Sequence, residues 1–340
     1  MTQDAGQGVF EAGDVVLDSG RTFPGMRIVY QSFGELNADR SNVIVYPTSY
    51  AAQHLDTRWL IRPGGILDPT RYFILIPNLF GNGLSSSPSN TGWPLTGDRY
   101  PQVTYHDAVR VQQRLLAEVF GVERVRLVYG WSMGGMQAYH WASLFGERVE
   151  RIAVVCGSAR CAPHNAVFID AVRAALTADP AWRDGVFHER PVRGFRAMAR
   201  LYATMALSQD FYRDELWRGM GFSSQEDFLV RSWETVFSRR DPADLLAQLW
   251  TWQHGDISAQ PRYRGDLPAA LRDISARVLL MPCDQDAYFR VEDSRRELAH
   301  LRHGELRPIV SPWGHRAGNP VASPADEAFI REAVQALLAD

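Results

Sequence analysis

Short runs of apolar, often β-branched residues recur through the first half of the chain and predict the strands of a sheet. The later runs are apolar on both faces, which is typical of buried parallel strands. Segments with helical periodicity separate them, residues 106–120 being one, and this alternation predicts an α/β fold. The strands predicted in this half are 26–32, 42–47, 72–77, 125–130 and 151–156.

The strand pattern stops at residue 165 and returns only after residue 265. The intervening residues show helical periodicity at 194–208, 224–240 and 242–254. Asp241 precedes the last of these segments and is expected to be its N-cap. We therefore expect residues 165–265 to be a helical insertion that covers the sheet as a lid.

Strands and helices alternate again after the insertion. This second alternating part extends the same predicted parallel sheet, so residues 1–164 and 266–340 are expected to form one core. The strands predicted here are 277–282 and 306–310, and the helices are 291–300 and 325–338.

The sequence GWSMGG, residues 130–135, places a serine at the turn between a predicted strand and a predicted helix. A serine hydroxyl is a poor nucleophile at neutral pH and needs a base, a group that orients the base, and donors for the oxyanion. A sharp strand–turn–helix lifts the hydroxyl above the sheet, and the helix N-terminus favours negative charge beside it. The pattern therefore predicts Ser132 as a catalytic nucleophile.

The remaining members of a triad should follow in the order acid, then histidine. Asp284 and Asp286 come directly after the first strand that follows the insertion, and His315 comes after the last strand in a loop that contains glycine. We expect His315 to be the general base towards Ser132 and then the general acid towards the leaving group. Asp286 is expected to orient the imidazole, with Asp284 as the alternative.

The oxyanion of an acyl-transfer reaction requires two backbone donors. One is expected to be the N–H of Met133, the residue after the nucleophile. The other should come from the loop after the strand at 42–47, where Thr48 is our choice and Ser49 or Tyr50 are the alternatives.

Composition narrows the classes of function. The chain has 340 residues, of which 46% are hydrophobic and 22% charged, which is ordinary for a globular protein with a sizeable core. Its formal net charge of -3 gives no indication of a nucleic-acid or anionic-membrane partner. All 36 basic residues are arginine, so a Schiff-base lysine is excluded.

The cysteines and the N-terminus bear on cofactors and location. Cys156, Cys161 and Cys283 are too few and too scattered for a disulfide framework or a cysteine zinc site, and metal-ligand spacing of histidines and carboxylates is absent. We expect neither a metal nor a cofactor. The N-terminus does not have the pattern of a signal peptide, and no apolar run approaches the length of a membrane span. A cytoplasmic protein is therefore expected.

Five stretches of the sequence together point to one family: YQSFGELNADRSNVIV from residue 30, GWSMGGMQAYHWA from 130, CGSAR from 156, DAYF from 286 and GHRAG from 314. With these stretches the chain resembles the homoserine O-acetyltransferase family, a group of α/β-hydrolase-fold proteins, over most of its length. The resemblance implies that fold, a catalytic Asp286, a helical lid at the insertion and a homodimer formed through that lid.

Several positions depart from the transferases of that family. Arg316 follows His315 where transferases usually have aspartate, and it would oppose the ammonium group of homoserine. Leu207 stands where a tyrosine is expected, while Arg200 matches an arginine that binds the substrate carboxylate. Arg200 could equally be a salt-bridge residue of the lid. The Gly-rich, Lys-containing segment that transferases carry after the fourth strand is replaced by NLFGNGLSSSPSN, which predicts a loop at the rim of a pocket.

These departures resemble the esterase-like branch of the family, which hydrolyses small, short-chain acyl esters. We therefore expect a serine esterase acting on acetate-type esters through an acyl-enzyme, with Arg200, Tyr50 and Trp131 contacting the substrate. The alternative is transfer of an acetyl or succinyl group from acyl-CoA to homoserine or another alcohol. A third reading is a non-catalytic ligand-binding protein on the same fold.

Overall fold

A mostly parallel sheet runs through the centre of the molecule, and its position agrees with the alternating pattern of the sequence. The computed structural model describes residues 4–92, 94–95 and 97–339. The strands within these residues are β1 (Asp4–Val16), β2 (Thr22–Phe33), β3 (Val43–Val45), β4 (Phe73–Pro77), β5 (Leu127–Trp131), β6 (Arg151–Val155), β7 (Trp182–Arg183), β8 (Val186–Phe187), β9 (Arg277–Met281) and β10 (Gly304–Leu306).

Eight of these described strands form one sheet in the order β1-β2-β4-β3-β5-β6-β9-β10. The strands β1 and β2 pair antiparallel with each other, and β2 pairs antiparallel with β4. In the part of this sheet that runs β4-β3-β5-β6-β9-β10, every pairing is parallel. In a parallel sheet the carboxyl ends of the strands meet at one edge, so the segments that follow β3, β5, β9 and β10 can converge there.

Helices connect the strands and cover the sheet. Among the described helices, none is both long and apolar enough to cross a membrane. They are α1 (His54–Thr57), α2 (Tyr105–Phe120), α3 (Met133–Phe145), α4 (Pro163–Thr177), α5 (Val192–Ala206), α6 (Gln209–Arg213), α7 (Gln225–Phe228), α8 (Thr235–Ser238), α9 (Pro242–Gln253), α10 (Leu267–Arg272), α11 (Val291–Leu298) and α12 (Pro324–Ala339).

The core lies on both faces of the sheet, which explains why the central strands read as continuous apolar runs. In β3, Val43 and Val45 belong to one cluster of buried residues and Ile44 belongs to the other. In β6, Val154 and Val155 divide in the same way. Successive side chains of a strand point to opposite faces, so a strand buried on both sides has no polar alternation.

The sequence pattern does not predict the strand β1, because it is an edge strand with irregular pairing. Its register against β2 shifts at several points, and Val9 is half exposed whereas Phe10 is buried. Gly8 is required by close packing, since a Cβ there would lie 2.4 Å from the ring of Tyr30. The strand predicted at 306–310 is also displaced: β10 ends at Leu306, and Ile309 makes an isolated bridge with Cys283.

The segment from α4 to α9, residues 163–253, is called the helical insertion below. It is helical as predicted, apart from the short pair of strands β7 and β8, which the sequence pattern misses. The residues Leu229–Glu234, between α7 and α8, form a π-helix. The predicted N-cap is confirmed: the Asp241 side chain accepts hydrogen bonds from the backbone N–H groups of Ala243 at 2.8 Å and Asp244 at 3.4 Å.

Glu297, at the end of α11, is a buried carboxylate that ties three elements together. Its two oxygens accept hydrogen bonds from the Tyr139 hydroxyl of α3 and from the backbone N–H of Ala159, both at 2.8 Å. Burial raises the pKa of the Glu297 carboxyl to about 7, against the two hydrogen bonds, which lower it. The folded protein therefore holds a proton at Glu297 at pH values where the unfolded chain has released it.

The substitution Glu297→Gln is expected to change the dependence of stability on pH. A carboxyl whose pKa is raised on folding stabilises most at low pH, and that stability is lost between its unfolded pKa near 4.5 and about 7. Glutamine mimics the protonated group and does not titrate. We expect the variant to gain about 1–3 kcal/mol relative to wild type between pH 4.5 and pH 8 in denaturant titrations. A constant difference across this range would contradict the assignment.

Candidate active site

Ser132 occupies a strained turn between β5 and α3. Its backbone has φ 58° and ψ −126°, which is unusual for a residue other than glycine, and it is the N-cap of α3. Gly130 and Gly134 make this turn possible. A Cβ at Gly130 would lie 2.0 Å from the carbonyl oxygen of Gly134, and a Cβ at Gly134 would lie 2.8 Å from that of Pro47. The turn therefore requires glycine at both positions.

His315 and Asp286 form a buried hydrogen-bonded pair. The imidazole Nδ1 lies 2.7 Å from Oδ2 of Asp286, and both side chains are almost completely shielded from solvent. The other carboxylate oxygen, Oδ1, accepts the backbone N–H groups of Tyr288 and Phe289, each at 3.0 Å. Asp284 is exposed, and its carboxylate accepts the N–H of Ser311 instead. The structure thus selects Asp286 over Asp284 as the partner of His315.

Aromatic rings enclose the imidazole of His315. The ring centroids of Tyr288, Trp131 and Phe289 lie 4.4, 5.1 and 5.3 Å from that of His315. The Trp131 indole N–H also donates to the carbonyl oxygen of His315 at 3.1 Å. This packing and the bond to Asp286 together fix the orientation of the ring, which leaves Nε2 as the nitrogen available to a substrate or to Ser132.

A cavity of about 280 Å³ joins the predicted residues. Ser132 and His315 both line it, as do Tyr50 and Trp131, two of the three residues expected to contact the substrate. The helical insertion supplies much of the opposite wall. The residues from the insertion that line this cavity are Tyr202, Ala206, Trp233, Val236, Phe237, Arg239 and Arg240.

The start of α3 provides one backbone donor near Ser132, as expected. Met133 is the first residue of α3, so its N–H has no carbonyl one turn earlier to bond. Thr48, by contrast, is not placed as predicted. Its N–H donates to the carbonyl of Pro77 at 3.4 Å, its hydroxyl accepts the N–H of Leu79, and it is not among the lining residues of the cavity.

Ser49 and Tyr50, the alternatives to Thr48, do line the cavity. The Ser49 hydroxyl donates to the carbonyl oxygen of Trp131 at 2.6 Å, which fixes the segment beside the residue that precedes Ser132. Thr48 is the less suitable donor because its backbone N–H is engaged by the carbonyl of Pro77. The second candidate donor is therefore the N–H of Ser49 or of Tyr50.

The helical insertion holds this segment in place through contacts that sequence reasoning missed. The Gln248 side chain of α9 accepts the backbone N–H of Ala51 at 2.8 Å. Asp244, one turn earlier in α9, holds a different loop, since it accepts the backbone N–H of Ser89 at 2.9 Å and its hydroxyl at 2.6 Å. Gln248 and Ala51 are separated by nearly two hundred positions, and no local signal in the sequence joins them.

Arg200 is not placed at the cavity, so its expected contact with substrate is not supported. The guanidinium donates to Glu226 at 2.9 and 2.5 Å and to Glu234 at 2.8 Å. These bonds, together with the two negative charges, raise the pKa of Arg200 further. The structure thus favours the alternative that the sequence left open, a salt bridge within the helical insertion.

Cys156, Asp286 and His315 bring three potential metal-ligand atoms within 4.8 Å of one another. Two of them are already joined by the hydrogen bond between Asp286 and His315. Burial raises the pKa of the Cys156 thiol well above its usual value, and a thiol binds metal ions only when it is deprotonated. This cluster is therefore better suited to hold the imidazole than to bind a metal.

The family of the chain follows from comparison with known proteins. The model of the α/β-hydrolase fold family matches residues 65–317. The chain belongs to this family. A solved acetylester hydrolase from Corynebacterium glutamicum superposes with a TM-score of 0.92 at 32% identity, covering 98% of this chain and 100% of the other.

The relatives include both esterases and transferases. An ethyl acetate hydrolase of Pseudomonas veronii is 37% identical over 306 residues, which is 89% of this chain and 87% of the relative. A homoserine O-acetyltransferase of Caulobacter vibrioides is 32% identical over 355 residues, covering 93% of this chain and 92% of the relative. The resemblance to the homoserine O-acetyltransferase family and to its esterase-like branch is therefore confirmed.

A fluorophosphonate probe is expected to label wild-type protein at Ser132 and to leave the Ser132→Ala variant unlabelled. An activated serine attacks the phosphorus, whereas an ordinary serine does not. Ser143→Ala is the control, because Ser143 is a serine of the adjoining helix α3 that does not line the cavity, and this variant should still be labelled. Labelling can be followed by intact mass. An unlabelled wild type would contradict the nucleophile assignment.

Substitution of Arg200 by Gln is expected to reduce stability by about 1 kcal/mol and to leave KM for an ester within about twofold of wild type. Glu234→Gln removes one of the two Arg200 ion pairs, together with one that Glu234 makes with Arg196, and should have a similar effect on thermal unfolding. A tenfold rise in KM for Arg200→Gln, with unchanged unfolding, would instead place Arg200 at the substrate.

Proposed function

We propose that this protein is a serine esterase that hydrolyses small, short-chain acyl esters through an acyl-enzyme. The observation that carries the proposal is the buried pair of Asp286 and His315, which meets Ser132 at one cavity. The names of the relatives support the same reaction, since they include an ethyl acetate hydrolase and an acetylester hydrolase.

In the first half of the proposed reaction, the Ser132 hydroxyl attacks the ester carbonyl carbon while Nε2 of His315 takes its proton. The carboxylate of Asp286 holds the imidazole and stabilises its positive charge. The N–H of Met133 and the N–H of Ser49 or Tyr50 stabilise the oxyanion. His315 then gives the proton to the departing alkoxide, and the acyl group remains on Ser132.

In the second half, water attacks the acyl-enzyme with His315 as general base. The tetrahedral intermediate collapses, Ser132 recovers its proton from His315, and the carboxylic acid leaves. Each step uses protein groups and water alone. The rings of Tyr288, Trp131 and Phe289 that enclose His315 support these proton transfers. They keep the imidazole fixed while Nε2 takes a proton from Ser132 or water and gives it to the alkoxide or back to Ser132.

Hydrolysis is favoured over acyl transfer to homoserine by the charge of the cavity. Arg316 lines the cavity and would repel an ammonium group there. Arg200, the arginine that resembled the carboxylate-binding residue of transferases, is engaged by Glu226 and Glu234 instead. The ammonium group of homoserine would therefore meet a like charge in the cavity, and Arg200 is not free to bind its carboxylate.

We also propose that the helical insertion acts as the lid predicted at residues 165–265. It covers Ser132 and contributes to the wall of the cavity. A homodimer formed through this lid and a cytoplasmic location complete the proposal. Cys156, Cys161 and Cys283 are free thiols, which suits a reducing compartment, and the family resemblance supports the dimer.

The purified protein is expected to hydrolyse p-nitrophenyl acetate and to form no O-acetylhomoserine from acetyl-CoA and homoserine. Ser132→Ala and His315→Ala should each lower kcat for ester hydrolysis by about 10³-fold or more, because members of a triad act as a unit. Release of p-nitrophenol and mass spectrometry of the acceptor measure the two reactions. Efficient acetylation of homoserine would favour the transferase, and near-normal turnover of either variant would contradict the mechanism.

A further inference from the structure

Arg316 is a cation of the active-site cavity without a negatively charged partner. It follows His315 in the helical turn Gly314–Gly318, and its guanidinium lies 5.5 Å from the ring centroid of Trp131. Within residues 4–92, 94–95 and 97–339, no carboxylate pairs with this guanidinium and no side-chain hydrogen bond satisfies it. The titratable groups that interact electrostatically with the guanidinium are the hydroxyls of Tyr202 and Tyr288, which are neutral.

Such a cation is costly to hold in a cavity. Removal from water penalises a charge unless a counter-charge or hydrogen-bond acceptors replace the water. Burial accordingly lowers the pKa of the Arg316 guanidinium. Asp56 is the carboxylate among the described lining residues, and it is paired at 2.5 Å with Arg240. The cavity therefore offers an incoming anion an unneutralised positive charge.

Asn319 adds an oriented donor to the same place. It lines the cavity together with Arg316, and its Oδ1 accepts the indole N–H of Trp59 at 2.9 Å. This bond settles the orientation of the carboxamide and leaves its NH₂ group to donate elsewhere. A guanidinium and a carboxamide NH₂ together match the acceptors of a carboxylate.

A second cavity, of about 190 Å³, adjoins the first. Arg316 and Asn319 line both cavities and are the polar residues of a shared wall that also contains Trp233, Val236 and Val321. The rest of the second wall is mostly apolar, with Leu207, Phe211 and Trp313 among its members. A ligand could thus place a carboxylate at the junction and an apolar group beyond it.

We propose that Arg316 and Asn319 bind a carboxylate carried by the alcohol part of the ester, so that the substrates are short-chain acyl esters of hydroxycarboxylic acids. This inference rests on the proposed function. The alcohol side is chosen because His315 protonates the departing alkoxide, so that part of the ester lies against His315, and Arg316 is the next residue. Hydrolysis adds water across the ester bond and releases the acyl acid and the hydroxy acid.

The test compares two acetates of equal size, acetoxyacetate, which is an anion, and 2-acetoxyacetamide, which is neutral. The readout is the ratio of their kcat/KM values, each divided by the rate constant of alkaline hydrolysis, so that intrinsic reactivity cancels. Wild type should prefer the anion by about 10- to 100-fold, the range for a hydrogen bond to a charged group. Arg316→Gln should abolish this preference.

Two further variants make the comparison specific. Arg239→Gln removes the same charge from an exposed position on the wall of the cavity, and should change the ratio by less than about twofold because water screens it. Asn319→Asp keeps an acceptor for Trp59 and adds a carboxylate beside the guanidinium. It should also abolish the preference, and it tests the inference even where Arg316→Gln fails to fold.

The outcomes separate this inference from the proposed function. A wild type that hydrolyses p-nitrophenyl acetate but shows no preference for acetoxyacetate would overturn the inference alone. A wild type that hydrolyses no ester would overturn both. A ratio that persists in Arg316→Gln and in Asn319→Asp would remove these residues from the assignment. A stronger preference for monoethyl succinate, whose carboxylate is on the acyl side, would overturn the choice of the alcohol side.

Discussion

The close contact between the end of β5 and the first turn of α3 is the constraint on which the site depends. The helix can begin at Ser132 only because Gly130 lies against the backbone of Gly134, where any side chain would collide. The sheet side of this turn is held by the bond from the Ser132 N–H to the carbonyl of Val155 in β6. The strain at Ser132 is therefore balanced by packing on both sides, and it keeps the hydroxyl at the carboxyl edge of the sheet.

Contacts distant in sequence complete what this turn begins. The segment that carries Ser49 and Tyr50 has no regular structure of its own, and it is held by the bond from Ser49 to Trp131 and by Gln248 of the helical insertion. The insertion thus does two things with different parts: residues of α5 and α8 line the cavity, and α9 positions the backbone beside the nucleophile. Loosening α9 would therefore affect the geometry at Ser132.

The sequence predicted the parts of this site that depend on local pattern and chain order. The central strands were predictable because burial on both faces leaves an uninterrupted apolar run, and Ser132 was recognisable because its strained turn requires glycine at 130 and 134. His315 followed from its place after the last strand, whereas position alone left Asp284 and Asp286 open and the family resemblance favoured Asp286. Local pattern could not show whether the backbone N–H of Thr48 faces the oxyanion or the carbonyl of Pro77, because tertiary packing decides which acceptor it meets.

The two arginines singled out by the sequence show how neighbours decide the role of a side chain. Arg200 and Arg316 have the same chemistry, but Arg200 meets Glu226 and Glu234 within the insertion, and its charge is neutralised there. Arg316 lies over the ring of Trp131 and near the hydroxyls of Tyr202 and Tyr288, and no carboxylate of the described residues pairs with it. Leu207, the second departure from the transferase pattern, lines the apolar cavity that Arg316 borders. The two departures therefore lie on the wall of one cavity, where the proposed assignment has Arg316 bind an anion beside apolar residues.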